Sequence, residues 1–381
     1  MKYSQITYNS TLRQINDINN GINRGAPKVL INYKAQKYFI GDSVVFLTYL
    51  KLIRNYFFNS KITINLHHRI DIAILQHNPY VDERISENLS SLNFIDYDLI
   101  IAVGSDKDLF TEIVNNYSSE LQIGNFKTGV FSLTDYLKFD EEEYSGIPNY
   151  HKLFNFIRQE QNNISLKKEI FILDEEIEWA DEWLRQNGVK PHEKVIIIID
   201  SASLKEKLLT IEVHFKMIEF FLENESNKLL VFDENGIGKL LFYNEWLGAK
   251  YRDRLIFANE LKFRHELSLL SSNYVKFVFG PCTGIMHCAS AIHNVLAMKY
   301  KNTKERPGIM VYAGEDAAKN QHKSQWWSDD EEAKCCVLKY VDNNRKEILW
   351  INPNVKDYLL CSEYTPKLLQ NAIKDRFLSV Y

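Results

Sequence analysis

The sequence has no excess of basic residues, no long apolar run and few cysteines. Its 46 Lys and Arg residues against 50 Asp and Glu residues give a net charge of −4, whereas nucleic-acid binding requires a basic surface. No apolar segment approaches the roughly 20 residues of a membrane-spanning helix. Five cysteines, an odd number in a chain of this size, do not suggest a disulfide framework. We therefore expect no nucleic-acid partner and no transmembrane segment.

What remains is the composition of a globular protein. The chain has 381 residues, of which 45% are hydrophobic and 25% are charged. This length is large for one core and suits two domains. The first 21 residues are too polar to be a secretory signal. These features predict a soluble cytoplasmic protein of two domains.

Short apolar runs alternate with amphipathic stretches in the first part of the chain. The runs KVLINY, KITINL and DLIIAV predict strands over residues 28–33, 61–66 and 98–103. Residues 44–56 and 71–76 between them have the apolar spacing of helices. Such alternation is typical of a parallel sheet with helices on both faces.

The same alternation restarts after a change in composition near residue 140. We predict strands over residues 194–199, 228–232, 255–257 and 275–279, and helices over 174–186, 213–223, 240–246 and 265–271. Two α/β halves predict two Rossmann-like domains whose mainly parallel sheets face each other across a ligand-binding cleft. The expected boundaries are an N-terminal domain over 1–165, a connection over 166–190, a C-terminal domain over 191–364 and a final helix over 365–381 that could pack back on the first domain.

The stretch FGPCTGIMHCASAIHN, residues 279–294, predicts a strand, a turn and a helix. The chain has only 15 glycines, yet Gly280 and Gly284 both lie at this junction. The first turn of a helix presents unpaired N–H groups and the positive end of the helix dipole, which suits a diphosphate. Thr283 could donate its hydroxyl there, and His287 follows one turn later. The same residues also suit a plain turn, a helix cap and a core histidine.

A second junction, Gly41-Asp42-Ser43, follows the first predicted strand. Gly41 would permit a tight turn, and Asp42 or Ser43 would cap the next helix. Open α/β sheets bind their ligands at the carboxyl ends of their strands. Asp42 is therefore either a cap or a carboxylate at a ligand-binding edge.

Four segments in this order resemble the bacterial heptosyltransferases of glycosyltransferase family nine, which have the two-domain GT-B fold. The resemblance covers roughly residues 28–300. The segments are residues 40–85, with the Gly-Asp turn and an Asn-Pro-x-Val-Asp turn, NYHKLFNFIRQ at 149–159, VIIIIDSASLKEKLLTIEVHFKMIEFF at 195–221, and FGPCTGIMHCASAIHNVLAM at 279–298.

The resemblance implies an inverting, metal-independent glycosyltransferase without a cofactor. It would move a sugar, such as a heptose, from a nucleotide-diphosphate donor to a hydroxyl of a glycan, glycolipid or protein acceptor. The implied pathway is cell-envelope glycan synthesis such as that of lipopolysaccharide, in the cytoplasm, and peripheral association with the inner face of the membrane is compatible with it. The implied residues are Asp42 as the catalytic base, His68 and Arg69 for the acceptor, and Ser201, Ser203, Lys205, Lys207, Cys282, Thr283, Gly284, Met286 and His287 for the sugar donor.

The chain departs from the family at two places, and other functions stay open. Cys282 stands where the family has an Asp, and the loop after Lys207 lacks the usual Trp-Pro. One alternative is a sugar-nucleotide epimerase of similar fold, and another is a non-catalytic protein that binds nucleotide sugars. A third is a Cys282 thiolate nucleophile with His287 or His293 as its base. Residues 301–381 match no part of the family.

Overall fold

The computed structural model divides the chain into two compact units, Met1–Leu166 and Lys167–Tyr381. No helix in the described part of the chain has the length and apolar composition to cross a bilayer. The structure describes residues 26–34, 40–104, 106–133, 152–160, 167–233, 236–301, 305–314, 327, 332–342, 345–350 and 358–377.

The first unit contains a five-stranded sheet in the order β3-β2-β1-β4-β5, and all four pairs of neighbours are parallel. Its strands are β1 (Val29–Lys34), β2 (Ile62–Leu66), β3 (Glu83–Ile85), β4 (Leu99–Gly104) and β5 (Gly129–Ser132). Its described helices are α1 (Ile40–Tyr56), α2 (Arg69–Leu75), α3 (Asp106–Gln122) and α4 (Lys152–Glu160). The three strands expected from the apolar runs are confirmed.

The start of α1 differs from the sequence interpretation. The helix begins at Ile40, so Gly41 lies within its first turn and not in a turn before it. Asp42 is likewise a first-turn residue, where its charge suits the helix dipole, and not the residue that precedes the helix. Ser43 is buried on the face of the helix that lies against β1, where its hydroxyl contacts the strand.

The second unit contains a seven-stranded sheet in the order β12-β11-β10-β9-β6-β7-β8, parallel except for the antiparallel pair β11–β12. Its strands are β6 (Lys194–Ile198), β7 (Asn227–Asp233), β8 (Leu255–Asn259), β9 (Val275–Pro281), β10 (Gly308–Ala313), β11 (Ala333–Tyr340) and β12 (Lys346–Trp350). Its described helices are α5 (Asp174–Gln186), α6 (Ile211–Leu222), α7 (Lys239–Leu247), α8 (Phe263–Leu270), α9 (Gly284–Tyr300) and α10 (Pro366–Arg376).

The order of this second sheet reverses at β6. From β6 the chain builds outward through β7 and β8, and it then returns to the other side of β6 as β9. Ligands of open α/β sheets bind outside the carboxyl ends of the strands at such a switch point. The carboxyl ends of β6 and β9 are therefore the place in this unit to look for a site.

The helix near the C-terminus packs within the second unit, and its packing on the first domain stays a prediction. α10 contacts α6 and β12. Its residues Leu369 and Ile373, together with Phe377, belong to the hydrophobic cluster of the second sheet because their apolar side chains complete that core. The segment expected to connect the domains also belongs to this unit, since α5 packs against α8.

Candidate functional site

The turn between β9 and α9 contains a buried hydroxyl that has no hydrogen-bond partner within the described residues. Thr283 precedes the helix with extended backbone angles, φ −137° and ψ 169°, but its side chain does not cap the helix. Its Oγ1 atom is buried and neither donates nor accepts a hydrogen bond within the described residues. An unsatisfied buried hydroxyl is costly. At the N-terminus of a 17-residue helix it is suited to an anion that this turn would bind.

Gly280 allows this turn to lie against the end of β6. A Cβ atom at Gly280 would lie 2.6 Å from Ile199 Cβ and 3.2 Å from Met286 Sδ. The Ile199 N–H donates to the Phe279 carbonyl at 2.9 Å, so the ends of β6 and β9 approach closely at this point. The glycine is thus explained by close packing. The approach brings the segment after β6 beside the β9–α9 turn.

Three of the residues implied by the resemblance are buried behind this turn. Met286 is fully buried, and Cys282 and His287 are 5% and 2% exposed. Trp327 stacks on the His287 ring, with centroids 4.1 Å apart, and donates its indole N–H to Cys282 Sγ at 3.4 Å. A nucleophilic thiolate needs an accessible, electropositive environment. This packing therefore favours a structural role for Cys282 over the nucleophile alternative.

The loop after β6 holds the remaining residues expected to bind the sugar donor. Ser201 is half-buried, Ser203 and Lys205 are exposed, and Lys207 is half-buried in a short 3-10 turn. Neither lysine forms an ion pair with another described residue. The loop ends at Thr210, whose hydroxyl caps α6 by accepting the Val213 N–H at 3.4 Å. Two lysine charges are thus available at the carboxyl end of β6.

Sequence analysis missed a buried polar network at the same edge. Asp200, two residues beyond the end of β6, binds Lys239 Nζ at 2.7 Å through one oxygen and accepts a hydrogen bond from the Tyr243 hydroxyl at 2.8 Å through the other. The Tyr243 oxygen lies 3.1 Å from His214 Nε2. Burial lowers the pKa of His214 to about 4 and raises the pKa of Tyr243 well above its usual range, so both side chains are neutral. An Asp that ends an apolar strand, as in IIIID, was the available signal.

Lys239 also links this network to the end of β7. Its Nζ donates to the Phe232 carbonyl at 2.6 Å, and its backbone N–H donates to Asp233 Oδ2 at 3.3 Å. Gly238, with φ 88° in the left-handed region, makes the turn that begins α7. The other carboxylate oxygen of Asp233 is buried without a partner within the described residues. The carboxyl ends of β6, β7 and β9 thus all carry polar groups.

The first unit has its own polar cluster at the carboxyl ends of β1 and β2. The Tyr33 hydroxyl lies 3.0 Å from Ser43 Oγ, and both side chains line a small cavity together with Asp71, which is 3% exposed. Burial raises the pKa of Tyr33, and the negative charges of Asp71 and Asp42 raise it further. Asp42 itself is half-buried. The two carboxylates are therefore both close enough to affect one buried tyrosine.

The residues expected to bind the acceptor follow β2. His68 is half-buried, and Arg69 is the first residue of α2, although its side chain lies outside the described residues. The neighbouring His67 lies 3.1 Å from Asn32 Oδ1, and burial and the charge of Lys34 lower its pKa. The first sheet thus presents His67 and His68 at the same edge as Asp42. Within the described residues, no group of three His, Cys, Asp or Glu side chains is arranged to hold a metal ion.

Comparisons with known proteins support the fold. No family model and no curated protein matches this sequence. The structure resembles the E. coli ADP-heptose LPS heptosyltransferase II with a TM-score of 0.60 at 13% identity, over 92% of this chain and 99% of that chain. It also resembles the E. coli heptosyltransferase WaaC with ADP, with a TM-score of 0.50 at 13% identity, over 93% of this chain and 99% of the other. The chain therefore has the α/β fold of the GT-B type that the heptosyltransferases have, with two mainly parallel sheets.

Proposed function

We propose that this protein is an inverting glycosyltransferase that transfers a sugar from a nucleotide-diphosphate donor to a hydroxyl acceptor. The observation that supports it most is the β9–α9 turn, where the unpartnered Thr283 hydroxyl lies at the N-terminus of a long helix. The fold shared with the heptosyltransferases supports the same class of reaction. A heptose donor and an acceptor in the cell envelope are the finer form of the proposal.

The second unit would bind the sugar donor. The first-turn N–H groups of α9 and the Thr283 hydroxyl would hold the diphosphate, and Lys205 and Lys207 would add positive charge. Met286 and His287 would support the turn from behind, because both are buried. These groups stabilise the negative charge that develops on the leaving diphosphate, which is a large contribution to catalysis.

The first unit would supply the base. Asp42 would accept the proton of the acceptor hydroxyl. At the same time, the oxygen of that hydroxyl would form a bond to the anomeric carbon of the sugar. The bond from that carbon to the diphosphate oxygen breaks, and the leaving nucleoside diphosphate takes the electron pair. Attack opposite the leaving group inverts the anomeric centre. His68 and Arg69 would contact the acceptor, and no step in this proposal requires a metal ion.

A thermal-shift screen against ADP-, UDP-, GDP- and CMP-sugars tests the proposal and identifies the nucleotide. A ligand that binds only the native protein raises its apparent stability, by about 2.7 kcal/mol at one hundred times the dissociation constant. The stabilising sugar nucleotide is then incubated with candidate acceptors and analysed for products. Transfer supports the proposal, whereas epimerised donor, or binding without turnover, would replace it with one of the alternatives.

Substitution at Gly284 tests the location of the sugar-donor site. Gly284→Val places a branched side chain at the first residue of α9, where it should block close approach of the diphosphate and weaken binding in calorimetry. Ala297→Val introduces the same side chain near the other end of this helix and is the matched control. Unchanged affinity in a folded Gly284→Val protein would move the site elsewhere.

A further inference from the structure

Two buried ion pairs lie at opposite edges of the second sheet. Lys239 and Asp200, 2.7 Å apart, lie at the carboxyl edge, with side chains 10% and 14% exposed. Lys228 and Glu193, 3.6 Å apart, lie where β6 and β7 begin, with side chains 10% and 12% exposed. Because the two pairs are equally buried in one sheet, the second is a natural reference for the first.

Only the Asp200–Lys239 pair lies beside the proposed sugar-donor turn. Asp200 directly follows Ile199, which donates its N–H to Phe279 at 2.9 Å and packs on Gly280. The backbone of Asp200 therefore begins one residue after the place where the chain beyond β6 pairs with the strand that leads into α9. A charge placed there acts strongly on a bound anion because burial reduces screening by water.

We propose that Asp200 and Lys239 together set how strongly this edge binds the diphosphate of a nucleotide sugar. The proposal rests on the proposed function of the same edge. In the ligand-free protein, Asp200 Oδ1 and the Phe232 carbonyl hold two of the three Lys239 ammonium donors, so the two charges compensate each other. The pair thereby sets affinity, because the Lys239 charge offsets the repulsion between the Asp200 carboxylate and a bound anion.

Removing either charge should change anion affinity in opposite directions. Asp200→Asn leaves the Lys239 charge uncompensated and should tighten binding about tenfold, while Lys239→Met leaves a bare carboxylate and should weaken it about tenfold. The double variant should return close to the wild-type affinity, because the two charges act on one ligand. A purely structural pair would give no tightening in any variant.

The packing around Asp200 should accept the Asn side chain. The Tyr243 hydroxyl, now a donor to Asp200 Oδ2 at 2.8 Å, can accept from an Asn amide and donate instead to His214 Nε2, which lies 3.1 Å away. The Asn carbonyl oxygen can still accept from Lys239. Asp200→Asn is therefore the decisive variant if Lys239→Met fails to fold.

Isothermal titration calorimetry of the full chain with ADP, UDP, GDP and inorganic pyrophosphate tests the proposal. Glu193→Gln and Lys228→Met are the matched controls at the amino edge, and melting curves verify folding in each variant. We expect tighter binding of the same ligand by Asp200→Asn than by Glu193→Gln. Equal or weaker binding by a folded Asp200→Asn protein would overturn the charge-pair proposal.

The wild-type protein separates this proposal from the proposed function. If it binds none of the four ligands, the proposed function fails and the charge-pair proposal fails with it. If the wild-type protein binds a nucleotide or pyrophosphate while Asp200→Asn and Glu193→Gln have the same affinity for it, only the charge-pair proposal is wrong.

Discussion

The carboxyl edges of the two sheets carry different arrangements of polar groups, although both follow the same alternation of strand and helix. At the first edge, burial raises the pKa of the Tyr33 hydroxyl, and the charges of Asp71 and Asp42 raise it further. At the second edge, the carboxylate of Asp200 is compensated by Lys239, and the adjacent turn offers the Thr283 hydroxyl and a helix N-terminus. In the proposed reaction, the first edge would accept a proton and the second would bind an anion. Strand order alone does not make this difference; the side chains at each edge do.

The largest expected effect tests the first edge. Asp42→Asn keeps the size of the side chain but removes its basicity, so the transfer rate should fall on the order of a hundredfold or more. Nucleotide affinity, which our proposal assigns to the second edge, and the melting temperature should hardly change. Asp96→Asn, an exposed aspartate before β4 at the amino edge, is the control. Near wild-type turnover by Asp42→Asn would show that the two edges do not divide the reaction in this way.

The second prediction compares the edges by their response to acid. Burial lowers the pKa of His214, in the network of the second edge, and of His293, in α9, from 6.5 to about 4. As the pH falls below 6.5, the unfolded chain binds protons that the folded protein refuses, so stability is lost between pH 6.5 and about 4. At pH 5 the loss is about 2 kcal/mol for each histidine.

Melting temperatures between pH 7 and pH 5 measure this loss. The decrease should be smaller in His214→Gln and His293→Gln than in the wild type. His67→Gln, at the first edge, is the comparison, because that ring is only half-buried and should contribute less. An equal decrease in all four proteins would show that these two histidines do not govern the acid response.

The third prediction concerns the close approach that builds the second edge. Gly280→Ala places a Cβ atom 2.6 Å from Ile199 Cβ, so the strand ends must move apart, at a cost of about 1–3 kcal/mol. Gly124→Ala in the first unit meets no atom within 4 Å but has φ +69°, so only backbone strain of about 1 kcal/mol is expected. Denaturant unfolding measures both. A smaller loss at Gly280 than at Gly124 would argue against tight packing at the second edge.

The smallest expected effect separates affinity from stability within the second edge. Thr283→Val keeps the shape but removes the unpartnered hydroxyl, so nucleotide affinity should fall about tenfold while the ligand-free protein loses no stability. Thr365→Val removes a hydroxyl that does cap a helix, by accepting the Leu368 N–H, and should cost about 1 kcal/mol without changing affinity. If the two variants show the same pattern, the Thr283 hydroxyl does not serve a ligand.

The sequence by itself determined the strands that form the centres of both sheets. The apolar runs that predicted β1, β2, β4, β6, β7, β8 and β9 are all strands in the structure, and the helix expected over 174–186 has those bounds. Such elements are predictable because they depend on local periodicity and on burial of contiguous side chains. The turn at residues 279–284 and its helix were visible for the same reason.

Only the tertiary structure decided which polar groups meet. Asp200 and Lys239 are 39 residues apart in the chain, and Trp327 is 45 residues from the Cys282 that accepts its N–H. Local patterns carry no information about such pairs, because they form only when the strands settle side by side. The position of the last helix was also decided by packing, since its apolar residues complete the core of the second sheet. The sequence left Thr283 as either a helix cap or a ligand-binding hydroxyl; in the folded chain its hydroxyl does not cap α9 and has no partner within the described residues.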